Sequence, residues 1–133
     1  MRYMLDTDTS SYVIKQRPVS VIQKFEACFP EEISISVVTY AELLFWTKRS
    51  EKTDRQIIDS FVSELVFHRW NKQAAEIYAE IRHDLQTSGK LIGAMDMLIA
   101  AHAISLGAIL VTNNMAHFSR IKSLQIDNWV QII

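Results

Sequence analysis

Short apolar runs alternate along this chain with longer stretches whose apolar residues recur every three or four positions. The β-like runs are Tyr3-Met4-Leu5, Ile33-Ser34-Ile35, Leu65-Val66-Phe67 and Ala108-Ile109-Leu110-Val111, with residues 129–133 a candidate fifth. Residues 10–16 suggest a short helix. Pro18 offers an N-terminus for a helix over 19–28, with Val21, Ile22 and Phe25 on one face. In the next helix Val38, Ala41 and Phe45 share a face. Thr53 is a plausible N-cap for the stretch holding Ile57, Ile58, Phe61, Val62 and Leu65. Asn71 is placed to cap a long helix through Ile77, Ile81 and Leu85 that ends near Gly89, and Gly107 to stop one through Leu98, Ile99, His102 and Leu106. Only 3 glycines and 2 prolines interrupt 133 residues, which favours long helices. Strands alternating with helices predict one α/β domain over residues 1–133, a sandwich whose central sheet of four to five short strands is mainly parallel and flanked by helices.

Three acids interrupt this apolar pattern. Asp6 ends the first run, Glu42 breaks the stretch from Val37 to Trp46, and Asp96 opens Met95-Asp96-Met97-Leu98-Ile99. Burying an unpaired carboxylate costs several kcal/mol, so acids kept in such contexts call for a compensating charge. Hard divalent cations such as Mg²⁺, or Mn²⁺ in its place, supply it because they prefer carboxylate oxygens and water. In a parallel sheet the crevice lies outside the carboxyl ends of the strands. Asp6 and Thr112-Asn113-Asn114 stand at two such ends, and a compact sheet can bring the helices of Glu42 and Asp96 to the same edge. Each residue also has a plainer reading. Asp8 or Thr9 could cap the following helix, while Asp6 stands further from its start. Glu42 could lie on a solvated face or pair with Arg49, and Asp96 could be an N-cap after Gly93. Thr112, Asn113 and Asn114 could be turn residues.

Charge and cysteine content narrow the classes further. The net charge is −1, with 14 basic and 15 acidic residues, which is not the global signature of a nucleic-acid binder. Local basic groups stand at residues 15–17, at Lys48, Arg49 and Lys52, and at Arg120 and Lys122. Each alone reads as a solvated helix face. The single Cys28 forms no internal disulfide and reads as a small hydrophobe in a reducing compartment. No apolar run is long enough for a membrane span, and the N-terminus is too short and too soon charged for a signal peptide. The expected location is the cytoplasm. His68, His83, His102 and His117 show no zinc spacing, and His102 sits in an apolar helix, where a hydrogen-bonded core role is expected. P-loop, GxGxxG and GxSxG motifs are absent.

Four segments together resemble the PIN domain, and more closely the VapC-type toxin ribonucleases of bacterial toxin–antitoxin pairs. They are residues 3–8, 35–43, 92–103 and 110–118, and the resemblance spans nearly the whole chain. It implies a metal-dependent endoribonuclease in which Asp6, Glu42 and Asp96 bind the metal, with Asp8 a secondary candidate. Thr112 and Asn114 would then orient a metal-bound water or a phosphate oxygen. Many relatives carry an acid within or just after the last segment, where this chain has Asn114 and His117. One well-held Mg²⁺ is therefore implied, a second arriving only with RNA. The implied partners are an RNA, with tRNA a candidate because relatives in enteric bacteria attack the initiator tRNA anticodon region, and a cognate VapB-like antitoxin. A homodimer and a hetero-oligomer with that antitoxin are expected. Tyr12, Phe45, Trp46 and Trp70 are aromatic candidates for stacking on bases. An apolar groove around Val38, Leu44, Phe45, Trp46, Ile57 and Phe61 is a candidate docking or dimer surface. The competing readings are a PIN-fold module that only docks RNA or protein, and a small metal-dependent phosphatase on another α/β fold.

Overall fold

The computed structural model describes residues 1–49 and 55–131. Thr53, Lys52 and the last two residues of the 129–133 run lie outside the described residues. Four strands, β1 (Tyr3–Leu5), β2 (Ile33–Ile35), β3 (Ile109–Val111) and β4 (Ile126–Asp127), form a wholly parallel sheet in the order β2-β1-β3-β4. Parallel neighbours need crossover connections, and helices supply them. Helices α1 (Thr7–Lys15) and α2 (Val19–Glu26) and a 3₁₀ turn at Pro30–Glu32 lead from β1 to β2. Helices α3 (Val37–Arg49), α4 (Arg55–Ser63), α5 (Lys72–Thr87) and α6 (Ala94–Ser105) lie between β2 and β3. The short α7 (Met115–Phe118) follows β3. Among the described residues no helix is long and apolar enough to cross a membrane.

Strand alternation divides the core. Leu5, Ile35 and Val111 are in register and pack with Val21 of α2, Leu43 of α3 and Ile58 of α4. Met4 and Leu110, one residue earlier, face the opposite layer, where Ile81 and Leu85 of α5 meet Met97, Ile99 and Ala100 of α6. Each of these side chains is essentially sealed from water, a gain of about 1.5–3 kcal/mol apiece for all but the small Ala100. Because both faces are covered, β1 and β3 carry apolar residues at successive positions.

The chain leaves β1 for β2 on one side and enters β3 on the other. Strand order therefore reverses between β1 and β3, and a crevice opens at their carboxyl ends. The ladder continues past the strands: Asp6 N–H donates to Val111 O at 3.0 Å and Thr112 N–H to Asp127 O at 2.9 Å. Asp6 and Thr112 are thus fixed side by side at the switch point.

Two helices that flank the crevice are tied together inside the core. His102 of α6 is fully buried, and its Nδ1 lies 2.9 Å from Ser36 Oγ. Ser36 Oγ in turn accepts from Val38 N–H at 3.2 Å, capping α3. Burial holds His102 below the usual imidazole range, so the ring stays neutral. His102 is therefore a core residue, as its apolar helix suggested. Asn71 caps α5 as expected, accepting from Ala74 N–H at 3.1 Å. Gly89 and Gly107 end their helices with φ of 71° and 63°, a region that disfavours side chains with a Cβ.

Several expectations need correction. The last strand is Ile126–Asp127, not 129–133; Trp129 instead buries its ring edge-on against Tyr3, 5.5 Å between centroids. Of the 65–67 run only Val66 pairs, as a lone parallel bridge to Ser34. Helix α1 starts at Thr7 rather than residue 10. In α3 the buried residues are Thr39 and Leu43, whereas Ala41 and Phe45 face outward and Phe45 is 57% exposed, with Arg49 over its ring. The helix is gripped by α1, α4 and α6, so its buried stripe follows the tertiary neighbours rather than the most apolar face.

Candidate active site

Asp6 is itself the N-cap of α1. Its backbone is extended and its Oδ1 accepts from Thr9 N–H at 2.8 Å. The expectation that Asp6 stands clear of the helix start is thus wrong, because the strand passes into the helix with a single linking residue. A capping carboxylate satisfies an orphan N–H and lies at the positive end of the helix dipole. Even so, burial dominates and pushes the Asp6 carboxyl up to about 6, against hydrogen bonds from Thr112 and Thr9; the charge of Asp8 adds to the rise. Thr112 is fully buried, is not part of the cleft wall, and its Oγ1 accepts from Asn114 N–H at 2.9 Å.

Glu42 projects from the middle of α3, half-buried. Its Oε1 accepts from Thr7 Oγ1 at 2.6 Å, and Thr7 Oγ1 lies 3.4 Å from Thr39 Oγ1. Arg49 stacks on Phe45, so Glu42 is neither on a bare solvated face nor paired with Arg49. Asp96 is the third residue of α6, after the capping backbone of Gly93. Its carboxyl is raised chiefly by burial, then by the charges of Glu42 and Asp8, while His117 pulls it down. Asp96 shares the cleft wall with Glu42 and Asp8, and His117 stands behind Asn114 of the same wall. Asp8, the second residue of α1, is exposed at the rim.

All four acids line one cleft of about 100 Å³, with Thr7, Trp46, Asn114 and Phe118 completing its wall. Asn114 is held twice: its N–H donates to Thr112 Oγ1 at 2.9 Å, and its Nδ2 lies 2.8 Å from His117 Nδ1. With the amide nitrogen turned to the ring, the side-chain oxygen is the polar end left for the cleft. Asn113 is exposed, bonds Asn128 and stays out of the cleft. Among the aromatic candidates only Trp46 reaches it; Trp70 is pinned by its indole N–H to Leu98 O at 3.0 Å.

Among the described residues no Lys or Arg forms an ion pair with Asp6, Asp8, Glu42 or Asp96. Four carboxylates without a cation, one of them buried deeply enough to be pushed up to about 6, suit a hard divalent ion. Among the described residues no three His, Cys, Asp or Glu side chains already stand at ligating distances. Thr7 and Phe118 are wall residues that the sequence does not assign to the site. Thr7 follows the strand-ending acid directly, the one local signal for it, while Phe118 reads as ordinary core.

A family model described as PIN domain matches residues 3–124. The chain is 39% identical over 132 residues to Ribonuclease VapC2 of Haemophilus influenzae (strain ATCC 51907 / DSM 11121 / KW20 / Rd), covering 98% of this chain and 99% of that protein. It is 34% identical over 131 residues to the tRNA(fMet)-specific endonuclease VapC of Shigella flexneri, with 97% and 98% covered. Among solved structures it is similar to a chain of VapBC2 from Rickettsia felis bound to a DNA fragment from their promoter, with a TM-score of 0.90, 36% identity, and 98% of this chain and 100% of that chain covered. A parallel sheet with an acidic cleft at its switch point, a family match over most of the length, and end-to-end relatives agree: the chain belongs to the PIN-domain family, among its VapC-type toxin ribonucleases.

Proposed function

We propose that this protein is a Mg²⁺-dependent endoribonuclease toxin that hydrolyses phosphodiester bonds in RNA, with tRNA as the substrate class, and is silenced by a VapB-like antitoxin. The observation that carries it is the meeting of Asp6, Glu42 and Asp96 on one cleft without a cationic partner. Those three side chains would hold the metal, Mn²⁺ substituting for Mg²⁺. A divalent ion so bound polarises a phosphate oxygen and lowers the pKa of a bound water.

The remaining residues prepare that site. Thr112 and the Thr9 N–H hold the Asp6 carboxylate in place, and Thr7 does the same for Glu42. The Asn114 side-chain oxygen, turned by His117, offers a hydrogen-bond acceptor to a water at the cleft. Asp8 at the rim adds negative charge that draws cations in. Trp46 offers a face on which an unpaired base could stack. The Shigella relative is named for tRNA(fMet), which supports tRNA as the substrate class.

The antitoxin reading rests on an apolar path. One cavity of about 650 Å³ includes Ile14, Phe25, Ile57 and Phe61 in its walls. A second of about 330 Å³ shares Ile14 and Ile57 with it and shares Trp46 with the acidic cleft. An extended partner segment laid along this path ends at the acids, where an Arg or Lys would meet them in place of metal. Of the groove expected from sequence, Trp46, Ile57 and Phe61 line this path; Val38, Leu44 and Phe45 lie outside it. The toxin is expected as a homodimer that assembles further with antitoxin in the cytoplasm.

A second reading, a PIN module that only docks RNA or protein, is favoured by the lack of three acids at ligating distances among the described residues. Purified protein incubated with bulk tRNA separates the two. New ends with Mg²⁺ and none with EDTA support the nuclease; intact tRNA at saturating Mg²⁺ leaves only the docking module. Expressed alone, the nuclease should arrest growth, with rescue by its antitoxin. Asp96→Asn should remove toxicity and keep antitoxin binding through the apolar path, read by pull-down.

A further inference from the structure

Three basic side chains from two separate stretches of the chain line another cavity. Lys90, in the turn after α5, joins Arg120 and Lys122, which follow α7, around a hollow of about 420 Å³ with Ser88 and Ser123 beside them. Its floor is apolar: Ile81, Leu85 and Ile121 are all buried. Asp84 is the acid in its lining, so three cations face one carboxylate. Among the described residues none of the three cations forms an ion pair. Arg120 is held across the mouth, its Nη1 donating to Lys90 O at 3.3 Å and to Leu91 O at 3.4 Å. An apolar floor lowers the local dielectric and strengthens the field of the charges above it.

The hollow adjoins the acidic cleft through shared elements. Asn114 and Phe118 of the α7 segment line the cleft, and Arg120 and Ile121 line the hollow. The backbone that Arg120 grips, Lys90 and Leu91, runs into Gly93 and the helix that carries Asp96. The cleft alone repels a polyanion, since four carboxylates line it. Affinity for an RNA backbone has to come from cations placed elsewhere, because phosphate contacts supply most of it.

We propose that this basic hollow is a second phosphate subsite, which takes a backbone phosphate of the RNA away from the bond that is cut. The proposal rests on the endoribonuclease reading and extends it by naming where the polyanion is held. Two different chemistries, acidic for the reaction and basic for the grip, then flank α7.

The test uses the full chain carrying Lys90→Gln and Lys122→Gln, two exposed side chains outside the core; Arg120 is left in place because it touches backbone. Binding of end-labelled bulk tRNA is followed by anisotropy across a salt series in an Asp96→Asn background. The slope of log affinity against log salt should shrink by about 0.7–0.9, the share of the one phosphate held in the hollow. A control with Lys24→Gln and Lys72→Gln, two basic residues remote from the hollow, should leave the slope unchanged. With Asp96 restored, KM for tRNA should rise in the hollow variant, while kcat and cleavage of a dinucleotide stay as in the parent. A slope and KM equal to those of the parent, or a slope change matched by the control, would overturn the subsite while leaving the nuclease reading intact. A parent protein that cuts neither tRNA nor dinucleotide would sink the nuclease reading, and the binding slopes would still decide the hollow.

Discussion

Among the described residues Asp6 and His102 are the two strongly buried titratable groups, and burial moves them in opposite directions. Asp6 is raised to about 6 and His102 is lowered, because desolvation disfavours whichever form carries charge. Their surroundings differ in one respect. His102 is sealed in the core, hydrogen-bonded to Ser36, and solves its problem by staying neutral. Asp6 lines a cleft shared with three other acids, two helix N-termini and no paired cation among the described residues. A buried ionisable group that ties helices together is thus told from one that awaits a ligand by what lies on its open side.

The largest effect that tests this contrast is on cleavage. Asp6→Asn, Glu42→Gln and Asp96→Asn should each lower RNA cleavage by about two orders of magnitude or more, with unchanged far-UV dichroism. His102→Gln should instead lower stability first and activity only through it. Parent-rate cleavage by all three acid variants would remove the site.

Next in size is the support of Asp6. Thr112→Val removes the buried hydroxyl that accepts from Asn114 N–H and favours the charged form of Asp6, without changing shape much. Metal affinity should fall by roughly 10–100-fold, as for other groups that orient ligands, and the acidic limb of the pH–rate profile should move up. Calorimetry and a pH series check both.

The pH dependence of stability separates the two groups by sign. The raised Asp6 binds more protons folded than unfolded between 3.8 and about 6, so in EDTA its contribution is full below that window and lost as pH rises through it. The lowered His102 works the other way: its contribution is full above the ordinary value of 6.5 and is lost as pH falls below it. Asp6→Asn keeps a good N-cap and should stabilise the metal-free protein at neutral pH by about 1–3 kcal/mol. Urea midpoints from pH 4 to 8 in EDTA, compared between parent and variant, read this directly; a destabilised Asp6→Asn would contradict it.

The smallest effect concerns His117, which pulls the Asp96 carboxyl down and turns Asn114. His117→Asp should tighten Mg²⁺ binding several-fold and favour Mn²⁺. Two tight sites in the parent protein by calorimetry would refute the single-ion reading.

Much of this was legible in the residues. Apolar runs of three or four residues marked β1, β2 and β3, and the acids that broke apolar stretches proved to line one cleft. Asn71 and Gly107 marked helix ends through local chemistry alone. What stayed hidden depends on tertiary neighbours. Thr7 matters because Glu42, far along the chain, accepts its hydrogen bond, and Thr112 because β1 lies beside β3. The α3 face was misread because three helices, not the apolar count, choose which side is buried. The basic hollow could not be assembled from sequence, since Lys90 lies far from Arg120 and Lys122 along the chain.

The claim that Asp6 is a metal-awaiting carboxylate is tested most directly by following its side-chain carboxyl resonance through a pH titration, with EDTA and then with saturating Mg²⁺. The account predicts a midpoint near 6 in EDTA that falls well below that value with Mg²⁺, while the His102 ring titrates below its ordinary 6.5 in both. An Asp6 midpoint near 3.8 in EDTA, or one near 6 that saturating Mg²⁺ leaves in place, would contradict it.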